Sequence, residues 1–298
     1  MKIGFIGLGI MGKPMVKNLL AEGYDVTVYD LNTEAIRELE LRGAKPAGSP
    51  AETSIDKELI FTMLPSHPHV ESVVFGDEGA VQTAQPGAII VDMSSISPVY
   101  SKQFAKSLGQ RGIFFMDAPV SGGEPKAIDG TLAIMVGGEK DVFEKVYPVL
   151  SAMGEQIVLV GETGAGTTAK LANQIMVNVN IAAMSEALVL AAKAGIDVEK
   201  MYQAIRGGLA GSAVLDAKVP LILERNFIAG GRIDINAKDL KNVLDTGDAI
   251  GAALPLSSQV HAMFEEMKAE GKGADDHGGL VQHYEKLASV TVQKGVTS

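Results

Sequence analysis

The chain of 298 residues is long enough for one large or two ordinary domains, and its 46% hydrophobic content commits it to a substantial apolar core. A formal charge of -10 argues against nucleic-acid and anionic-membrane partners, which need clustered Lys and Arg. With no cysteine, disulfides, thiolate nucleophiles and Cys-ligated zinc are excluded, and the cytoplasm is the expected compartment.

The opening run MKIGFIGLGIMGKP has one early basic residue and an apolar stretch, as a signal peptide does. Gly4, Gly7, Gly9 and Gly12 interrupt it, however, and Lys13-Pro14 offers no small-residue cleavage site, so a strand and turn are expected instead. Strands are predicted over 2–6, 25–29, 59–63, 88–92, 114–117, 132–136 and 157–160, short runs without polar alternation that suit coverage on both faces. Between them, 11–22, 33–42 and 98–112 carry helical spacing and stop near Gly23, Gly43 and Gly112. This alternation predicts an α/β fold, with a Rossmann-type doubly wound sheet over residues 1–162. His67 and His69 are expected in a loop, and no His/Asp/Glu spacing suggests a metal site.

From residue 163 to 298 strand-like runs vanish, which predicts an all-α C-terminal domain. Its first helix, 167–193, would be roughly 40 Å long at about 1.5 Å per residue and would link the domains. Further helices are expected over 199–206, 212–223, 238–250, 256–270 and 278–288, with KGVTS as a frayed tail. No uninterrupted apolar run of about 18 residues occurs, so no membrane span is expected.

Gly7-x-Gly9-x-x-Gly12 follows a strand and opens a helix, and Asp30 closes the second strand at the distance a dinucleotide fingerprint requires. Gly7 permits the tight turn, Gly9 lets the backbone approach a pyrophosphate, and Gly12 lets helix and strand pack closely. The loop residues Leu8, Ile10 and Met11 complete the cofactor segment. Asp30 can accept hydrogen bonds from both ribose hydroxyls and would repel a 2′-phosphate, so NAD is the expected cofactor, with NADH favoured over NADPH. Alternatively Asp30 is a strand-end cap before Asn32. A second glycine run, GETGAG at 161–166, has phosphate-loop spacing but lacks the Lys-Ser/Thr that should follow; its lysine, Lys170, comes three residues late.

FIGLGIMGKPM, DAPVSGG at 117–123, GAGTTAKLANQ at 164–174 and KDL at 238–240 stand in the order and spacing of the β-hydroxyacid dehydrogenase family, which the chain resembles throughout. SGGEPKAIDGTL and RGGLAGSAVLDAK are similar to the branch that reduces tartronate semialdehyde; relatives acting on 3-hydroxyisobutyrate or a hydroxymethyl dicarboxylate, and a catalytically silent scaffold, are the alternatives. The resemblance implies a small carboxylate-bearing semialdehyde or hydroxyacid as substrate and a homodimer or homotetramer. It implies that Lys170 is the catalytic proton donor, that Asn173 holds the lysine or the substrate, and that Gln174 lies beside them. A lysine in the first turns of a helix opposes the macrodipole, which lowers its pKa toward a usable range. By itself such a lysine would be read as solvated, but Asn173 and Gln174 at i+3 and i+4 favour a built site. Ser121, Gly122 and Gly123 would take the substrate carboxylate, their alternative being a plain turn. Leu64, Pro65 and Ser95 would line the riboses, Lys238 would close on the nicotinamide, and 209–212 would help select the substrate.

Overall fold

The computed structural model describes residues 1–295, and the chain divides into two compact units, Met1–Lys170 and Leu171 onward. The division falls inside the long helix, beyond residue 162.

The first unit is built on strands β1 (Lys2–Ile6), β2 (Asp25–Tyr29), β3 (Lys45–Pro46), β4 (Leu59–Thr62), β5 (Ile89–Asp92), β6 (Phe114–Asp117), β7 (Val120–Ser121), β8 (Leu132–Gly137) and β9 (Gly154–Gly161). They lie in the order β3-β2-β1-β4-β5-β6-β8-β7, with β9 beside β8. Every neighbour from β3 to β6 is parallel. β8 runs antiparallel to β6 and β7, and β9 is parallel to β8. Successive side chains on a strand point to opposite faces. Phe5, Phe61, Val91 and Met116 accordingly enter one apolar layer, and Ile6, Ile60, Ile90 and Phe115 the other. Both layers are roofed by helices, which is why these strands read as unbroken apolar runs. The order reverses between β1 and β4, and a doubly wound sheet binds its ligand at that kind of switch point.

His67 and His69 are not in a loop. They open the helix His67–Phe75, with Pro68 in its first turn, where a missing N–H costs nothing. The His67 ring stacks on Tyr100 at 3.6 Å between centroids, and His69 Nδ1 lies 2.7 Å from Ser66 Oγ. Both rings are thus engaged locally. Among the described residues no group of three or more His, Asp or Glu side chains is placed to hold a metal.

The second unit is helical among its described residues. The long helix Ala165–Lys193 runs into it, followed by Val198–Ile205, Ala213–Leu223, Ile233–Ile250, Pro255–Ala269 and Val281–Ala288. Ile181, Met184 and Leu188 of the long helix pack with Val219, Ile222, Leu240, Val243 and Phe264 in one core. By length and composition this helix would suffice to cross a bilayer, with a mean hydropathy of 1.7 over its most apolar window. It carries no uninterrupted apolar run of that length, because Lys170, Asn173, Gln174, Asn178, Asn180 and Glu186 are spaced along it. At the start of the tail expected to fray, Lys294 donates its N–H to Leu223 O at 3.1 Å. Residues 296 to 298 of that predicted tail lie outside the described residues.

One buried cluster in this unit makes a testable contribution to acid stability. Asp276 accepts from Lys218 Nζ at 2.8 Å and from the N–H groups of Gly230, Gly231 and Gly278 at 2.9 to 3.0 Å. Beside it His277 is pushed down to about 4 by burial and then by the Lys218 charge, against the pull of Asp276, and its Nδ1 has no hydrogen-bond partner. The unfolded chain takes up this proton as the pH falls below 6.5, whereas the folded chain refuses it until about 4, so stability is lost across that window. Between pH 7.5 and 5 the loss attributable to His277 is about 2 kcal/mol. Urea unfolding of His277→Gln should therefore show a pH-dependent fall shallower by that amount. Equal falls in the two proteins would refute the assignment.

Candidate active site

The glycine loop leaves β1 at the switch point. Gly7 has φ +102°, its N–H donates to Tyr29 O at 3.0 Å, and a Cβ there would stand 2.3 Å from Met63 O. Gly12 opens the helix Gly12–Ala21 so close to β1 that a Cβ would lie 1.9 Å from Gly7 O. Around Gly9, by contrast, a Cβ would meet nothing within 4 Å. Two glycines are thus demanded by the fold, and the middle one faces open space where backbone can approach a ligand. No side chain caps the following helix, and its first turn holds no acidic residue. Its N–H groups and positive end therefore suit a pyrophosphate. Leu8 is buried, Met11 half-buried and Ile10 exposed.

Asp30 lies across the loop. Its Oδ2 accepts the Leu8 N–H at 2.5 Å and its Oδ1 the Asn32 N–H at 2.7 Å. The strand-end cap leaves each carboxylate oxygen a second lone pair, so it is compatible with the ribose contact expected of Asp30. The two loops expected at the riboses are tied to one another. The Leu64 N–H donates to Ser94 Oγ at 2.9 Å, the Ser94 N–H to Asp92 Oδ1 at 3.1 Å, and Thr62 Oγ1 to that same oxygen at 2.8 Å. Pro65 and the half-buried Ser95 follow directly on these anchors. Burial pushes the Asp92 carboxyl up to about 6, against hydrogen bonds from Ser94 and Thr62.

Ser121 ends β7, opposite Ala133 of β8, and Gly122 and Gly123 turn the chain at φ +135° and +67° into the helix Gly123–Asp129. Those angles explain the paired glycines, and their amides follow immediately on the Ser121 hydroxyl. Lys170 lies in the second turn of the long helix with only 8% of its surface exposed, so it is not the solvated lysine its position alone would suggest.

In the second unit the structure joins three of the expected residues through one that the sequence reading passed over. Asn173 Nδ2 donates to Gln174 Oε1 at 3.0 Å, Gln174 Nε2 donates to Asp239 Oδ2 at 2.6 Å, and Lys238 Nζ pairs with Asp239 Oδ1 at 3.0 Å. Asn236 Oδ1 lies 3.4 Å from the same Gln174 nitrogen. Gln174, expected at the substrate, has both ends of its amide engaged inside the protein and bridges Asn173 to Asp239. The helix holding Lys238 begins at Ile233, not at residue 238, which puts Lys238 and Asp239 in its second turn. In the segment 209–212, Leu209 is fully exposed, while Ser212 Oγ caps the next helix by accepting the Leu215 N–H at 3.0 Å.

A family profile described as the NAD binding domain of 6-phosphogluconate dehydrogenase matches residues 2–161, and one described as the NAD-binding of NADP-dependent 3-hydroxyisobutyrate dehydrogenase matches residues 164–284. The chain is 43% identical over 289 residues to the 2-hydroxy-3-oxopropionate reductase of Escherichia coli (strain K12), covering 97% of this chain and 99% of the relative. It is 39% identical over 295 residues to the 2-(hydroxymethyl)glutarate dehydrogenase of Eubacterium barkeri, covering 99% and 98%. Among solved structures it is similar to a Mycobacterium tuberculosis 3-hydroxyisobutyrate dehydrogenase studied with L-serine, with a TM-score of 0.89, 29% identity and coverage of 95% and 98%.

Proposed function

Because the chain belongs to the 3-hydroxyisobutyrate dehydrogenase-like family of β-hydroxyacid dehydrogenases, oxidoreductases acting on CH–OH groups with an NAD(P)-binding domain, we propose that it reduces tartronate semialdehyde (2-hydroxy-3-oxopropanoate) to glycerate with NADH. The observation that carries this reading past a silent scaffold is Lys170, a buried lysine in the opening turns of a helix. A cation held at that end of a helix dipole and out of solvent is the arrangement that tunes a lysine for proton transfer.

A nicotinamide held by the glycine loop would supply hydride chemistry at the aldehyde carbon. Lys170 gives the proton that turns the nascent alkoxide into the primary alcohol, and its positive charge favours the developing oxyanion over the neutral carbonyl. Ser121 and the amides of Gly122 and Gly123 orient the substrate by its carboxylate. Asn173, fixed through Gln174, hydrogen-bonds the substrate or the lysine, and Lys238, paired with Asp239, serves the nicotinamide side. The glycine loop and its helix N-terminus would hold the pyrophosphate, and the second lone pairs of Asp30 the ribose hydroxyls, where a 2′-phosphate would meet like charge. We further read the protein as a cytoplasmic homodimer or homotetramer, a reading supported by Met176 and Leu190, which stand 66% and 71% exposed on the long helix.

A panel of semialdehydes, each offered with NADH and with NADPH, tests the substrate and the cofactor together. Tartronate semialdehyde with NADH should give the highest kcat/KM, by about tenfold or more over the same substrate with NADPH. A higher value with NADPH would overturn the role of Asp30. A higher value with methylmalonate semialdehyde, or with the aldehyde of 2-(hydroxymethyl)glutarate, would move the substrate to another branch of the family.

A further inference from the structure

The run GETGAG at 161–166 has the spacing of a phosphate loop, and the anion at its helix N-terminus comes from the protein itself. Asp117, buried at the carboxyl end of β6, takes the Gly164 N–H on Oδ1 at 2.7 Å. Its Oδ2 takes the Thr167 N–H at 2.6 Å and the Thr167 hydroxyl at 2.9 Å. The glycines are what permit this approach. A Cβ on Gly166 would lie 2.3 Å from Met135 O and 2.6 Å from Asp117 O, and one on Gly137 would lie 2.5 Å from Asp117 Oδ1. Gly164 itself sits at φ +92°, which other residues rarely adopt.

The carboxylate therefore fills the orphan amides that open the long helix, complements its positive end and ties it to the central sheet. A third element joins the node, since Ser101 Oγ lies 3.4 Å from Thr167 Oγ1. Burial pushes the Asp117 carboxyl up, and the donors from Gly164 and Thr167 pull against that, as they should if they are arranged for the ionised form. Lys170 follows Thr167 by three residues, a rise of about 4.5 Å along the helix. No step of the reaction derived above uses Asp117, yet its carboxylate bonds both the residue before the helix bearing Lys170 and the first turn of that helix.

We infer that Asp117 is a positioning residue of the reaction: by seating the helix N-terminus on the end of β6 it holds the Lys170 amine where proton transfer requires it. This rests on the reading of Lys170 as the proton donor, and a double-mutant cycle separates the two. Asp117→Asn keeps the volume and one acceptor but sets an amide N–H against a backbone N–H. Thr167→Val, which puts a methyl in place of the hydroxyl and so removes its bonds to Asp117 and Gly164 O but keeps the Thr167 N–H bond, stands in for it if the asparagine variant does not fold.

Turnover is measured at saturating NADH and substrate, below the unfolding transition of every variant, with NADH binding followed by fluorescence. Asp117→Asn should lower kcat by about 10- to 100-fold, the effect of misplacing a catalytic group by about 1 Å, with the NADH Kd held within about twofold. In a Lys170→Ala background the same change should cost nothing further, because the group it positions is gone. Methylamine added to rescue Lys170→Ala should rescue the double variant equally well. Losses that multiply in full would overturn the inference and leave Asp117 a purely structural anchor, and so would wild-type turnover in Asp117→Asn. Wild-type turnover in Lys170→Ala alone would instead sink the proton-donor reading beneath it.

Discussion

Lys170→Ala is expected to lower kcat by about 100-fold or more while leaving NADH affinity within about a factor of two. The asymmetry follows from where the groups lie in the chain. Of the residues expected to hold the cofactor in the first unit, Gly7 bonds to Tyr29, Leu64 to Ser94, and Asp30 to Leu8 and Asn32. Removing the lysine takes away the proton and the charge that meet the alkoxide, an interaction made mainly in the transition state, so kcat and kcat/KM should fall together. Lys170→Arg sharpens the test. It keeps a positive charge, but a guanidinium does not give up its proton in a protein, and its planar fork does not fit a space built for an ammonium. Arginine should therefore recover little of the loss. If it recovers most of it, Lys170 acts as a fixed charge and the proton comes from elsewhere. Steady-state rates with both variants decide this, and an alanine variant within about threefold of wild type would remove Lys170 from the chemistry altogether.

The elements that were legible are those in which one residue run decides its own state. β1, β2 and β6 are read to the residue because unbroken apolar runs bounded by turn residues have no other stable use, and the long helix misses its start by two residues. β3 and β7 were not legible: each is two residues long, with a proline in or directly before it, and exists only because a neighbouring strand offers an edge. The helix His67–Phe75 was hidden by two histidines and a proline in its first turn, with only Val70 and Val74 buried. The site divides in the same way. Gly7 and Gly12 announce themselves because positive φ or close approach admits nothing else, whereas Asp92, Asp117 and Asp239 look like ordinary strand-end or helix-surface acids. Their partners lie 30, 50 and 65 residues away in sequence, and no local pattern encodes such a pairing.

Gly9→Ala and Gly12→Ala should fail in different ways, and the difference tests whether the first loop is shaped by the fold or by a ligand. At Gly12 the added Cβ would lie 1.9 Å from Gly7 O and 3.1 Å from the Phe5 ring, where ordinary contact begins near 3.4 Å, so the helix must retreat from β1 by about 1.5 Å. That helix carries Met15, Val16 and Leu19 in the apolar layer on β1, and displacing them costs about 1–3 kcal/mol, or a Tm lower by roughly 2–12 °C at about 2–4 °C per kcal/mol. The same retreat drags the Gly7 peptide and the helix N-terminus off the pyrophosphate position, so NADH affinity should drop by about 100-fold as well. At Gly9 a Cβ meets no atom of the protein and the backbone does not require a positive φ, so Tm should stay within about 1 °C. NADH affinity should nevertheless fall by about tenfold or more, because the methyl would stand where only a bound phosphate could be. Calorimetry and NADH fluorescence titration on the pair read both quantities. A Gly9→Ala enzyme that binds NADH normally would mean that the open face of the loop is not the phosphate face, and Asp30 could then no longer be placed at the ribose.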